Sequence, residues 1–153
     1  MCGWAGQPRT IRIGKAGNWF CYSEHIATEM ARVFRELGNP DRLAHLDGTS
    51  FAKHLAHIVA EINAVHPFRE GNGRTQLTFL AMLAEHAGLT FNDDILERDR
   101  VIQAMIDSFS GSEASLQALI EDIIASFVGL TITPVYPASP PTNPPPIGCR
   151  RPG

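Results

Sequence analysis

Apolar side chains recur at three- and four-residue spacing along most of the chain, the period of helices with one face turned to a core. Phe51, Leu55, Ile58, Val59 and Ile62 predict a helix from about residue 50 to 64. Ser23 is placed to cap an earlier helix running to about Leu37, with Glu24 in its first turn and Gly38-Asn39-Pro40 as its stop. A third helix begins near Gly73, carries Leu77, Leu80, Ala81 and Ala84, and ends at Gly88. A fourth is expected over about 94–109 (Ile95, Val101, Ile102, Met105, Ile106), with Asp93-Asp94 as its N-cap, and a fifth over 112–128 (Leu116, Leu119, Ile120, Ile123, Ile124, Phe127). Only residues 9–20, RTIRIGKAGNWF, alternate apolar and polar side chains around a glycine-containing tip, the pattern of a short β-hairpin. From Pro134 onward the proline density predicts a disordered tail. The expected organisation is therefore a mostly α bundle over residues 1–128 and a Pro-rich tail over 129–153.

The 153 residues suffice for one core, and 44% hydrophobic content is ordinary for a globular chain. Thirteen Lys and Arg against sixteen Asp and Glu give a formal charge of -3, so no global basic field draws the protein onto nucleic acid or an anionic membrane. Phosphate recognition must be local. Cys2, Cys21 and Cys149 are scattered and odd in number, which fits neither a disulfide framework nor a zinc site and points to a reducing, cytoplasmic setting. No apolar run reaches the ~20 residues a membrane-spanning helix needs, and the first residues lack a signal-peptide pattern.

Between the second and third helices lies HPFREGNGR, residues 66–74. Its Glu-Gly-Asn-Gly run leads into a helix, where stacked backbone N–H groups meet the positive end of the helix dipole and two glycines admit an anion. Arg74, in the first turn, can fold back onto the same anion with fork geometry. Glu70 is a hard oxygen ligand suited to Mg²⁺ on nucleotide phosphates. His66 is the one group near neutral pKa, able to take a proton from a hydroxyl. Each feature alone has a plainer reading: a helix-end histidine, a Gly-Asn-Gly turn, a Phe68 anchor, a Pro67 lock. Their coincidence within nine residues describes phosphoryl or nucleotidyl transfer instead. No GxxxxGK[ST] loop occurs, so this is not a Walker-type NTPase.

The stretch resembles the signature of Fic domains, HxFx[DE]GNGRxxR, residue by residue from His66 to Arg74. WAGQPRTIRI resembles the family's approach to its hairpin, KAGNWF the hairpin itself, called the flap, and INAVHPF the approach to the motif, so the resemblance spans roughly residues 4–128. It implies a mostly α Fic-fold helical bundle with a β-hairpin flap, and transfer of AMP from ATP to a Tyr, Ser or Thr hydroxyl of a target protein. It makes His66 the general base, Glu70 the Mg²⁺ ligand, Gly71, Asn72 and Gly73 the anion hole, and Arg74 the clamp on the outer phosphates. The flap residues Ile11, Arg12, Ile13, Gly14 and Lys15 would align the target by strand addition, the pairing an open hairpin edge invites. The protein would be cytoplasmic or delivered into a host cell as an effector.

Three departures qualify the resemblance. The final motif arginine is replaced by Leu77, and losing a charge-assisted bond there should weaken nucleotide binding by roughly 1.5–3 kcal/mol. A degenerate nucleotide- or protein-binding module is therefore the alternative to an active enzyme. The family's inhibitory [ST]xxxE[GN] motif does not occur, so inhibition is expected from a separate antitoxin chain, as in toxin–antitoxin members. WAGQ normally follows an N-terminal helix, which the resemblance implies is missing here. Elsewhere, His54 and His57 sit three apart on one helix but read as packing or solvated histidines rather than metal ligands. Trp4 reads as packing near the core and Trp19 as a flap residue, and Asn63 is close enough in sequence to bond the His66 loop.

Overall fold

In a computed structural model of the protein, the structure describes residues 6–15 and 17–125; the Pro-rich tail, Trp4, Cys2, Cys149 and Phe127 lie outside them. Two strands, β1 (Gly14–Lys15) and β2 (Asn18–Trp19), pair antiparallel in the register Gly14 to Trp19 and Lys15 to Asn18. Five α-helices follow among the described residues: α1 (Ile26–Leu37), α2 (Gly48–Val65), α3 (Asn72–His86), α4 (Arg98–Phe109) and α5 (Ala114–Ala125).

Helix α2 is the axis of the bundle and packs against the other four helices. Ten of its eighteen residues are buried, more than a one-sided stripe supplies, because neighbours cover it on several sides. Its expected apolar set, Phe51, Leu55, Ile58, Val59 and Ile62, is wholly buried and meets Val33 and Leu37 of α1, Leu80 and Leu83 of α3 and Leu116, Leu119, Ile120 and Ile123 of α5. At the rim, Arg32 of α1 joins Glu29 (2.9 Å), Glu36 (2.8 Å) and Glu61 of α2, tying the two helices together.

Several helix starts differ from the sequence reading. Residues 23–25 form a 3₁₀ turn, and the Ser23 hydroxyl donates to Glu24 instead of capping α1. Helix α2 starts two residues early because Asp47 accepts from the Ser50 N–H at 3.0 Å. The Asp93-Asp94 pair lies in another 3₁₀ turn, capped by Asn92 through the Asp94 N–H, and α4 begins only at Arg98. The apolar stripe of α4 also divides: Ala104 faces the core, Val101 and Met105 are half-buried, and Ile102 and Ile106 are 39% and 53% exposed.

The hairpin is shorter than expected, since Ile11, Arg12 and Ile13 precede the strands. Arg12 is held by aromatic faces instead, with its guanidinium carbon 4.7 Å from the Trp19 ring centre and 4.0 Å from that of Tyr22. At Gly14 a Cβ would come 2.5 Å from the Asn18 carbonyl oxygen, so the close approach of the two strands requires glycine. Among the described residues, no helix is long and apolar enough to cross a membrane.

Candidate active site

Helix α2 ends at His66, whose backbone is left-handed (φ 52°, ψ 62°) and whose N–H still bonds the Ile62 carbonyl at 2.8 Å. Among the described residues it is the one non-glycine with positive φ, a strained conformation that the surroundings must enforce. Arg9 enforces it. This side chain is 2% exposed and donates to the carbonyls of His66 (2.8 Å), Val65 (3.1 Å), Ile11 (2.7 Å) and Cys21, while its own N–H bonds the Pro67 carbonyl at 2.8 Å.

The loop then closes on itself through Asn72. Its Oδ1 accepts from the Phe68 N–H at 2.9 Å and its Nδ2 donates to the Phe68 carbonyl at 2.7 Å. Gly71 takes the left-handed conformation (φ 81°) at the N-cap of α3, and the next residues in the first turn direct their free N–H groups out of the helix end. No atom lies within 4 Å of the Cβ that an alanine at Gly73 would add, so that side of the turn is open.

His66, Glu70, Gly71, Asn72 and Gly73 line a cavity of about 410 Å³. Lys15 of the flap also reaches it, whereas Ile11, Arg12, Ile13 and Gly14 lie outside. Arg74 is exposed, with its Nη2 3.6 Å from where a Cβ at residue 71 would stand, and it is not among the residues that line the cavity. Leu77 lines the cavity at the position where the motif would carry arginine.

Within the cavity the imidazole of His66 is half-buried and stacked on Phe20, with ring centres 3.8 Å apart and planes 12° from parallel; Phe20 in turn meets the edge of Phe109. His66 Nδ1 lies 3.3 Å from the Asn63 carbonyl oxygen. A carbonyl can only accept, so Nδ1 carries the proton and Nε2 is left as the acceptor. Burial pulls the His66 pKa below its ordinary value, and the positive charges of Arg9 and Lys15 act in the same direction against the Asn63 bond. The neutral, proton-accepting form is thereby favoured. The Asn63 side chain, expected to bond this loop, instead donates to the Met105 carbonyl (2.8 Å) and the Ser108 hydroxyl, anchoring α2 to α4.

The profile of the Fic/DOC family matches residues 2–84, more than half of the sequence. The chain belongs to the Fic/DOC family. This Fic domain is 53% identical over 122 residues, 79% of its own length and 64% of the relative's, to "Probable protein adenylyltransferase y4lH" of Sinorhizobium fredii. It is 34% identical over 124 residues, 81% of its length and 26% of the relative's, to "Protein adenylyltransferase VbhT" of Bartonella schoenbuchensis. It thus spans less than two thirds of either curated relative. Among solved structures, the BepC protein of Bartonella tribocorum with bound AMPPNP superposes with a TM-score of 0.68 at 25% identity, over 78% of this chain and 65% of that one.

Four residues that shape the Fic site were not singled out from the sequence. Arg9 looked like part of a hairpin strand, and nothing local marks it as buried. Phe20 falls within the flap pattern, and Arg69, which also lines the cavity, falls at a variable motif position. Gln76 had a usable signal: it follows Asn72 by four residues and precedes Leu80 by four, so it is a polar residue on the buried face of α3. In the His54–His57 pair, His57 Nδ1 meets Glu113 at 2.9 Å and His54 approaches the Leu37 carbonyl, and among the described residues no group of three or more metal-binding side chains assembles.

Proposed function

We propose that this Fic domain transfers AMP from ATP to a Tyr, Ser or Thr hydroxyl of a target protein. The observation that carries the reading is the placement, in one cavity, of an unprotonated His66 Nε2 and the N-terminus of α3 opened by Gly73. Free N–H groups and the helix dipole suit an α-phosphate there, with Lys15 and Arg69 adding local positive charge. The target hydroxyl oxygen bonds to the α-phosphorus, the bond to the bridging oxygen of the β-phosphate breaks and pyrophosphate leaves. The hydroxyl proton passes to His66 Nε2. The relatives named adenylyltransferases and the AMPPNP bound to BepC support the donor.

Glu70 fits a Mg²⁺ that arrives with the nucleotide, because that ion takes one or two carboxylates plus phosphate oxygens and water, and Glu70 lies on the cavity wall beside the cradle. Bound there, Mg²⁺ would neutralise charge on the departing pyrophosphate. Arg74, exposed beside Gly71, is the clamp this reading assigns to the same phosphates. The flap supplies the docking edge for the target, and a separate antitoxin chain is the regulator this reading calls for.

The test is incubation with Mg²⁺, α-labelled ATP and a bacterial lysate, with His66→Ala and Leu77→Arg beside the natural chain. A labelled protein band that disappears with His66→Ala and strengthens with Leu77→Arg is expected. Leu77 supports a second reading, a nucleotide-binding module without transfer. Mg-ATP binding with no label in any arm would favour it, and label arriving only from the terminal phosphate would indicate a kinase.

A further inference from the structure

Gln76 is 2% exposed, and its amide nitrogen has no hydrogen-bond partner among the described residues. One turn earlier on the same face of α3, Asn72 uses both of its amide atoms inside the loop. A buried amide nitrogen left unpaired is disfavoured in a folded chain and calls for an explanation. Gln76 lines the cavity, so a ligand can supply the missing partner.

The walls indicate which part of the ligand that is. The cavity's cations, Lys15 and Arg69, come from the flap and the loop, whereas the α4 wall beside Gln76 is Val101, Ile102, Met105 and Ile106 and carries no charge. A polyphosphate along that wall would lie uncompensated against hydrocarbon. A phosphate seated on the N-terminus of α3 therefore directs the uncharged remainder of the ligand between α3 and α4, past Gln76. The half-exposed Ile102 and Ile106 give that remainder apolar side chains to cover. A carboxamide presents one acceptor and two donors in a plane, the complement of adenine's 6-amino group and an adjacent ring nitrogen.

We propose that Gln76 is a specificity-determining residue that reads the hydrogen-bonding edge of the donor's adenine. The inference rests on the adenylyl-transfer reading above and adds the residue that selects the base. It also accounts for a glutamine on the buried face of α3, where leucine would pack without a polar penalty.

The test is equilibrium binding, in Mg²⁺, of ATP, of purine riboside 5′-triphosphate (which lacks the 6-amino group) and of tripolyphosphate, to the natural chain and to Gln76→Met. The natural chain should prefer ATP over the analogue by roughly tenfold or more, the discrimination of one good amide–base pair. Gln76→Met should lose that preference, bind ATP correspondingly less well and keep its tripolyphosphate affinity. Methionine has nearly the shape of glutamine and removes an unpartnered amide, so thermal stability should hold or rise. Should Gln76→Met misfold, Gln76→Leu carries the same comparison. An ATP preference that survives Gln76→Met, or a loss shared equally by tripolyphosphate, overturns the inference. Equal binding of ATP and analogue by the natural chain overturns it while leaving the phosphate cradle standing. Failure of the natural chain to bind any of the three overturns adenylyl transfer itself, and base reading with it.

Discussion

Replacing Arg9 with methionine removes four hydrogen bonds at once, to the carbonyls of Val65, His66, Ile11 and Cys21. The four are not equivalent. Ile11 is exposed and Cys21 half-buried, so their carbonyls can turn to water. Val65 and His66 belong to the end of α2, where the last carbonyls lack intrahelical partners and Arg9 serves as the cap. An unpaired buried carbonyl costs about 1–3 kcal/mol, so Arg9→Met should destabilise by about 3–4 kcal/mol. That is a large share of a domain stability of about 5–15 kcal/mol. Arg9→Lys keeps the charge, but a single nitrogen cannot span carbonyls on two sides of the guanidinium, and it should recover about half of the loss.

Urea unfolding of the three proteins checks these values, with equal m-values required for the comparison. Arg9→Met within about 1 kcal/mol of the natural chain, or Arg9→Lys equal to it, would refute the claim that a forked donor holds the His66 peptide. NMR titration of the imidazole is the second readout. Removing a nearby positive charge should raise the His66 pKa only part of the way to 6.5, because burial is the larger cause of its depression.

Gly73→Ala should leave folding stability unchanged or slightly raised, since the new Cβ meets nothing within 4 Å and the position is helical, yet it should weaken nucleotide binding by crowding the cradle; calorimetry beside ligand titration separates the two. Asn72→Ala should cost about 1–3 kcal/mol by thermal unfolding, because it leaves both polar groups of the Phe68 backbone without their partner. The acid limb of the transfer rate should lie below 6.5, the ordinary histidine value, because the lowered pKa keeps His66 neutral to lower pH. The sign for stability follows: between the lowered value and 6.5 the unfolded chain binds more protons, so His66 makes stability rise with pH through that window and fall as pH drops. Phe20→Leu should lower the turnover rate more than it raises KM and move the acid limb upward, because it unstacks and partly rehydrates the imidazole.

The helices were legible because their cores follow a strict period, and the buried set of α2 matches its expected apolar face. Their starts were less so. Ser23, Asp93 and Asp94 are good capping residues by type, but tertiary geometry put 3₁₀ turns there and assigned one cap to Asn92. Ile102 and Ile106 show a deeper limit: apolar periodicity marks a face without distinguishing one that packs into the core from one that, like theirs, stays exposed on a cavity wall. The motif brought His66, Glu70 and Gly71 to Gly73 together as expected, because they are near neighbours in sequence where the loop enters α3. Arg9 and Phe20 reach the same place from more than forty residues away in sequence, and no local pattern records such a contact.

One peptide bond separates Trp19, 61% exposed on the flap, from Phe20, stacked on the imidazole. A protein that pairs with β2 in a slightly different register would therefore shift the ring that seats the base. Under the proposed function, recognition and proton transfer would then share a lever, and substitutions that retarget the flap would change turnover as they change affinity. Arg12 belongs to the same linkage, since its guanidinium lies over Trp19 and Tyr22, which flank Phe20 in sequence, so a change of target preference made there would also reach the imidazole.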